Sequence, residues 1–174
     1  MGSASSVLTK VSKANTSVPF APLLRNRVTV QNGRVCGDTH SMLEVLAPTM
    51  IDYASPELAA EMVPRLLRGD EQWCQGFSEP GSGSDLASLT TRAVEKDGRW
   101  VINGQKVWTS FAQYSHRCVL LTRTGDAGTP DHQAITAFFV DLNTPGITVR
   151  PLRTMHGVDE FCEVYFDDVV VDAN

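Results

Sequence analysis

Residues 75–85 read Gln-Gly-Phe-Ser-Glu-Pro-Gly-Ser-Gly-Ser-Asp and gather serine hydroxyls, a carboxylate at Glu79 and several small residues into one stretch. Gly81 and Gly83 let the backbone approach a bound molecule closely, and nearby amides and hydroxyls can donate to anionic oxygens. The stretch is not a Walker loop, because no Gly-Lys-Ser/Thr follows it. It is not a dinucleotide fingerprint either, because the glycine spacing is wrong and strands follow instead of a βαβ unit. Alone, such a loop is more often an ordinary surface turn than a site. A second segment, Lys106-Val107-Trp108-Thr109-Ser110, sets an aromatic ring beside two hydroxyls. Cys36, Cys74, Cys118 and Cys162 form no CxxC pair, and His40, His116, His132 and His156 are equally scattered. No metal site is expected from them, and the cysteines read as free, buried thiols.

The elements that must hold these segments fall into two kinds. A helix is expected from about residue 38, capped by Asp38 or Thr39 and interrupted by Pro48. Ser55-Pro56-Glu57 starts a second helix: a capping hydroxyl, proline at the first helical position, and an acid at the positive end. Leu58, Met62, Leu66 and Leu67 form its apolar stripe, Gly69 ends it, and Pro64 is expected to kink it. After Trp73 the periodicity becomes that of strands. Asp97-Gly98 is a favoured hairpin turn between residues 93–96 and 100–102. Asn103-Gly104 reads as a second such turn into residues 105–109, which makes a meander. Further strands are expected over 117–122, 134–140, 147–152 and 162–166. The fold class is α+β: a short helical lead-in followed by a predominantly antiparallel β-barrel or sandwich.

The net charge of −5 conceals an asymmetry. Residues 1–37 carry five basic residues and no acid, whereas the remainder carries ten basic and twenty acidic residues. The acidic body is unsuited to neutralising phosphates, so nucleic acid is not an expected partner. The basic, Ser/Thr-rich start has a transit-peptide composition. A poorly ordered leader is the preferred reading of it. No apolar run reaches the roughly 20 residues of a membrane span.

Three motifs in order carry a family resemblance. Residues 65–85 (RLLRGDEQWCQGFSEPGSGSD) closely resemble the acyl-CoA dehydrogenase signature, and residues 105–110 (QKVWTS) resemble that family's second flavin-contact segment. Residues 150–169 resemble the close of its middle domain. The resemblance covers roughly residues 38–172. It implies a poorly ordered tail over 1–37, a remnant of the N-terminal helical domain over 38–72, and the β-barrel middle domain over 73–174.

It also implies FAD as cofactor. Phe77 and Ser78 fall where backbone amides and a hydroxyl meet the polar edge of the isoalloxazine ring, with Gln75 on the same strand. Trp108 falls where an aromatic packs on that ring, followed by Thr109, and Ser110 falls where a hydroxyl reaches flavin N5. Ser84 matches the hydroxyl position that contacts the acyl-CoA thioester arm or its pantetheine region. Phe111 and Cys162 depart from the family pattern, Cys162 in an expected loop near the site. The implied reaction is α,β-dehydrogenation of an acyl-CoA, with electron-transfer flavoprotein as acceptor. The resemblance makes Glu79 a structural member of its turn, and the family's carboxylate base belongs to a C-terminal helical domain that this sequence lacks. No catalytic residue is therefore assigned, and the chain alone is expected to be inactive and to bind FAD weakly or not at all. A homo- or hetero-oligomer is implied, in the bacterial cytoplasm or alternatively the mitochondrial matrix. Two other readings keep the fold: a non-catalytic partner that completes a flavin pocket in a heteromer, and a flavin oxidase or monooxygenase.

Overall fold

The computed structural model describes residues 39–125 and 128–172. The leader expected over 1–37, with Cys36, and the Asp38 cap lie outside the described residues. Two helices, α1 (Thr39–Tyr53) and α2 (Pro56–Arg68), precede seven strands: β1 (Trp73–Gly76), β2 (Arg92–Lys96), β3 (Arg99–Ser110), β4 (Arg117–Arg123), β5 (Ile135–Asp141), β6 (Ile147–Leu152) and β7 (Phe161–Asp172).

The local signals at α2 operate as written in the sequence. Ser55 Oγ accepts from the Leu58 amide at 3.2 Å. At the other end Gly69 takes a left-handed conformation, φ 76°, that only glycine adopts without strain. The interruption expected at Pro48 does not occur, since α1 runs through it, and α2 likewise continues through Pro64. A mid-helix proline costs about 3 kcal/mol. Burial of Leu46, Ala47 and Met50 beside Pro48 offsets that cost.

The strands form one curled, half-barrel sheet in the order β1-β4-β2-β3-β7-β6, with β5 on β4. Pairing is antiparallel for β2–β3, β4–β5, β3–β7 and β6–β7, and parallel for β1–β4 and a single residue pair of β2–β4. Alternation of side chains serves two cores. Cys74, Cys118, Leu120, Phe138 and Val140 point into the curl, with Trp100, Ile102, Val164 and Phe166 from the other strands. Their neighbours Trp73, Val119 and Phe139 point the other way and pack under Leu46, Met50, Leu58, Met62 and Leu66 of the helices. The β1, β4 and β5 segment is therefore covered on both faces, and the helices are fixed against the sheet segment that opens the site.

Asp97 (φ 52°) and Gly98 (φ 74°) make the expected tight turn. The second expected turn is a correction: β3 runs unbroken through Asn103-Gly104, and there is no meander at that point. The reason is a bulge in the partner strand. Between the pairs Ile102↔Val169 and Gly104↔Phe166, β7 spends one residue more than β3. Asn103 clamps the bulge, donating to Asp168 Oδ1 at 3.0 Å and accepting from the Asp168 amide at 2.9 Å. Gly104 (φ 148°) is required there, since a Cβ would lie 2.7 Å from Thr91 Cα.

Candidate functional site

A second bulge builds the site. Between Lys106↔Val164 and Thr109↔Cys162 the extra residue lies in β3, at Val107 and Trp108. Trp108 takes φ 59° and Phe111, just past the strand end, φ 54°. Left-handed backbone costs a bulky residue roughly 1–2 kcal/mol, and such strain persists where the surroundings over-determine it. The bulge turns Trp108 out of the ladder; it is 61% exposed and meets Phe161 edge to face, centroids 5.9 Å apart.

Trp108 flanks a cleft of about 200 Å³ between the end of β1, the end of β3 and the C-terminal turn of α2. Of the residues singled out in the sequence, Gln75, Phe77, Ser78, Trp108 and Ser110 line it, together with Phe111. Two segments 30 residues apart, counted from Ser78 to Trp108, are thus brought onto one concave surface. A direct bond ties them: the Val107 amide donates to the Ser78 carbonyl at 2.9 Å. Thr109 and Ser84 are not among the lining residues. Thr109 is buried with its hydroxyl unpartnered among the described residues, and Ser84 is exposed on the loop beyond.

The Gly/Ser loop is a closed turn, not an open row of donors. Glu79 and Ser82 exchange backbone hydrogen bonds of 2.7 and 3.1 Å, and the Ser82 and Ser88 hydroxyls both donate to the Asp85 carbonyl at 2.8 Å. Glu79 anchors it. Its buried carboxylate accepts from the Thr90 amide and hydroxyl, each at 2.7 Å, from the Thr91 amide at 2.9 Å, and from Lys106 Nζ at 2.8 Å. Burial alone pushes this carboxyl up; the bonds from Lys106, Thr91 and Thr90 outweigh it and hold the group at about 2. A carboxylate so held is a poor proton acceptor near neutrality, which fits a structural role for Glu79.

Lys106 is the residue that the sequence reading passed over. Its side chain is fully buried and donates to Glu79 and, at 3.0 Å, to the Phe77 carbonyl. Burial pushes its amine below the usual lysine range, and Glu79 opposes that shift. A signal existed: Lys106 follows Trp100 and Ile102 in the inward phase of β3. Glu71 was also passed over. It lines the cleft and is tied to Arg65 at 2.7 Å and Arg117 at 3.3 Å. Cys162 lies in β7, in the strand expected over 162–166 and not in the loop that the resemblance implied; it is buried and donates to Gln113 Oε1 at 2.8 Å. Among the described residues no group of three or more metal-binding side chains occurs, and no helix is long and apolar enough to cross a membrane.

The cleft's chemistry suits a flavin ring: aromatic walls at Trp108 and Phe111, and polar groups at Ser78, Gln75 and Ser110. Among the described residues the Ser78 amide has no acceptor.

The acyl-CoA dehydrogenase middle-domain family matches residues 74–169. The acyl-CoA dehydrogenase FadE34 of Mycobacterium tuberculosis is 52% identical over 125 residues, 72% of this chain and 17% of that protein. A solved ChsE4-ChsE5 complex from the same organism matches with a TM-score of 0.68 and 38% identity, over 73% of this chain and 32% of its own. A glutaryl-CoA dehydrogenase from Mycobacterium smegmatis, solved with FADH2, matches with a TM-score of 0.65 and 29% identity, over 74% of this chain and 32% of its own. The chain thus spans about a third or less of these relatives' lengths. Sequence, fold and cleft agree, and the chain belongs to the acyl-CoA dehydrogenase family.

Proposed function

We propose that the cleft is one wall of an FAD site and that the chain is part of an FAD-dependent acyl-CoA dehydrogenase. The observation that carries this is the convergence of Gln75, Phe77 and Ser78 with Trp108 and Ser110 on one aromatic-walled surface, built at the cost of strained backbone. In this reading Ser78 and Ser110 donate to the polar parts of the ring, and Trp108 packs on its face. Thr109 is assigned no side-chain contact, because its hydroxyl is buried away from the cleft. In the same reading Ser84, exposed beyond the Glu79 turn, contacts the thioester arm of an acyl-CoA or its pantetheine region. FAD, when bound, supplies the acceptor for the two electrons removed from the acyl chain.

The proton-accepting carboxylate comes from outside the described residues. Glu71, the carboxylate lining the cleft, is held by two arginines, and Glu79 is consumed by its four donors. The cleft is also open at Trp108, with Tyr114 58% exposed nearby in sequence, so a further helical segment or a second subunit closes it. The match to a two-component complex favours a hetero-oligomer, with this chain completing a flavin pocket. Electron-transfer flavoprotein is the proposed acceptor.

The test is an anaerobic assay with FAD, an acyl-CoA and an artificial electron acceptor, on this chain alone and co-purified with a full-length family member. Turnover with both chains and none with this chain alone is expected. Turnover by the isolated chain would overturn the externally supplied base. Equal rates of oxygen consumption in air would favour an oxidase.

A further inference from the structure

We propose that Lys106 is a positioning residue for the flavin's polar edge: its ammonium holds the Phe77 carbonyl and thereby turns the Ser78 N–H toward the cleft. The proposal rests on the FAD reading above and adds a residue to it. Lys106 Nζ lies 3.0 Å from Phe77 O and 2.8 Å from Glu79 Oε1, with no exposed side-chain surface. All described peptide bonds are trans, and in a trans peptide the carbonyl of one residue and the N–H of the next point oppositely. A cation behind the Phe77 carbonyl therefore fixes the Ser78 N–H on the opposite, cleft side, where Ser78 is a lining residue. It also polarises that peptide, so the N–H becomes a stronger donor to any negative charge that develops in front of it. Glu79 completes the device from the next residue but one. It neutralises the buried amine, and its bonds to Thr90 and Thr91 anchor the far side of the turn. A lysine that only filled space would need neither the carbonyl nor the alignment.

The consequence is specific. Reduced flavin carries more negative charge at its polar edge than oxidised flavin, so an oriented, polarised N–H favours the reduced form. Loss of Lys106 should weaken binding of reduced FAD more than binding of oxidised FAD.

The test uses the full chain, ¹⁵N-labelled, as wild type, as Lys106→Met and as Lys106→Met/Glu79→Gln. The double variant leaves no unpaired buried charge and so guards against simple failure to fold. The Ser78 amide ¹H and ¹⁵N resonances are expected to move upfield in both variants, because the Phe77–Ser78 peptide loses its charged partner, with β5 amides unchanged. Oxidised and anaerobically reduced FAD are then titrated into each protein. Both variants are expected to lose about tenfold more affinity for the reduced form, equivalent to a potential about 30 mV more negative for a two-electron couple. Equal losses for both forms would leave Lys106 a structural residue and overturn the proposal. So would unchanged Ser78 amide shifts, or shifts that move there only in step with those of β5. Where the wild-type chain alone binds neither form, the titrations are made on the chain co-purified with a full-length family member; no binding there overturns the FAD reading, and the Ser78 amide shifts still decide whether Lys106 orders the peptide.

Discussion

Lys106 and Glu79 show what a strand sequence conceals at the scale of one residue. Alternation along β3 puts Lys106 in phase with the inward Trp100 and Ile102, but the cost of burying an unpaired ammonium argues against taking that phase literally. What permits it is a carboxylate 27 residues earlier in the chain, brought to 2.8 Å by the turn it also anchors. Glu79 itself was legible only as a member of a motif; its four donors come from Thr90, Thr91 and Lys106, which no spacing rule links. The pair sets an acid limit. The folded-state value of about 2 lies below the ordinary 4.5, so Glu79 contributes stability above pH 4.5 that is lost as pH falls toward 2. Urea midpoints of the wild type should therefore decline across that window. Glu79→Gln should remove this component of the decline and, by stranding the Lys106 charge, cost about 3–5 kcal/mol at pH 7. A variant as stable as wild type at neutral pH would contradict a buried ion pair.

Elements with local signals were readable, and those set by distant partners were not. The α2 cap, its glycine stop and the Asp97-Gly98 turn depend on neighbours within a few residues, and each forms as expected. Asn103-Gly104 carries the same turn signal but becomes a straight strand facing a bulge, because its decisive partner is Asp168, 65 positions away. Both bulges shift the inward phase of a strand, which period-two reading cannot anticipate. In β7 the buried set passes from Cys162, Val164 and Phe166 to Val169 and Val171. Glycine substitutions separate turn from bulge. Gly98→Ala has open space and should cost about 1 kcal/mol for its positive φ alone. Gly104→Ala adds a collision with Thr91 and should cost roughly 2 kcal/mol or more on denaturant unfolding. Equal costs would mean that Gly104 is not pinned by Thr91.

Across the whole molecule, two hydrophobic cores share the β1-β4-β5 sheet segment, and the cleft opens where the helical layer ends. The motif residues named the family and most of the lining residues. They did not say which would face the cleft, because the β3 bulge decides that Trp108 turns out and Thr109 turns in. Shared packing makes the site sensitive to the far core. Phe138 is fully buried against Trp100 and should cost about 3–5 kcal/mol on replacement by alanine, read as a lower thermal midpoint. An unshifted midpoint would contradict the place of Phe138 in the core inside the curl.

The central claim, that this cleft is a flavin wall, is tested most directly by titrating FAD into the ¹⁵N-labelled chain and mapping the amide shifts. Weak binding is expected, with perturbations concentrated at Gln75, Phe77, Ser78, Trp108, Ser110 and Phe111, and their loss in Trp108→Ala. Shifts centred elsewhere, or none at millimolar FAD even with a full-length family member co-purified, would contradict it.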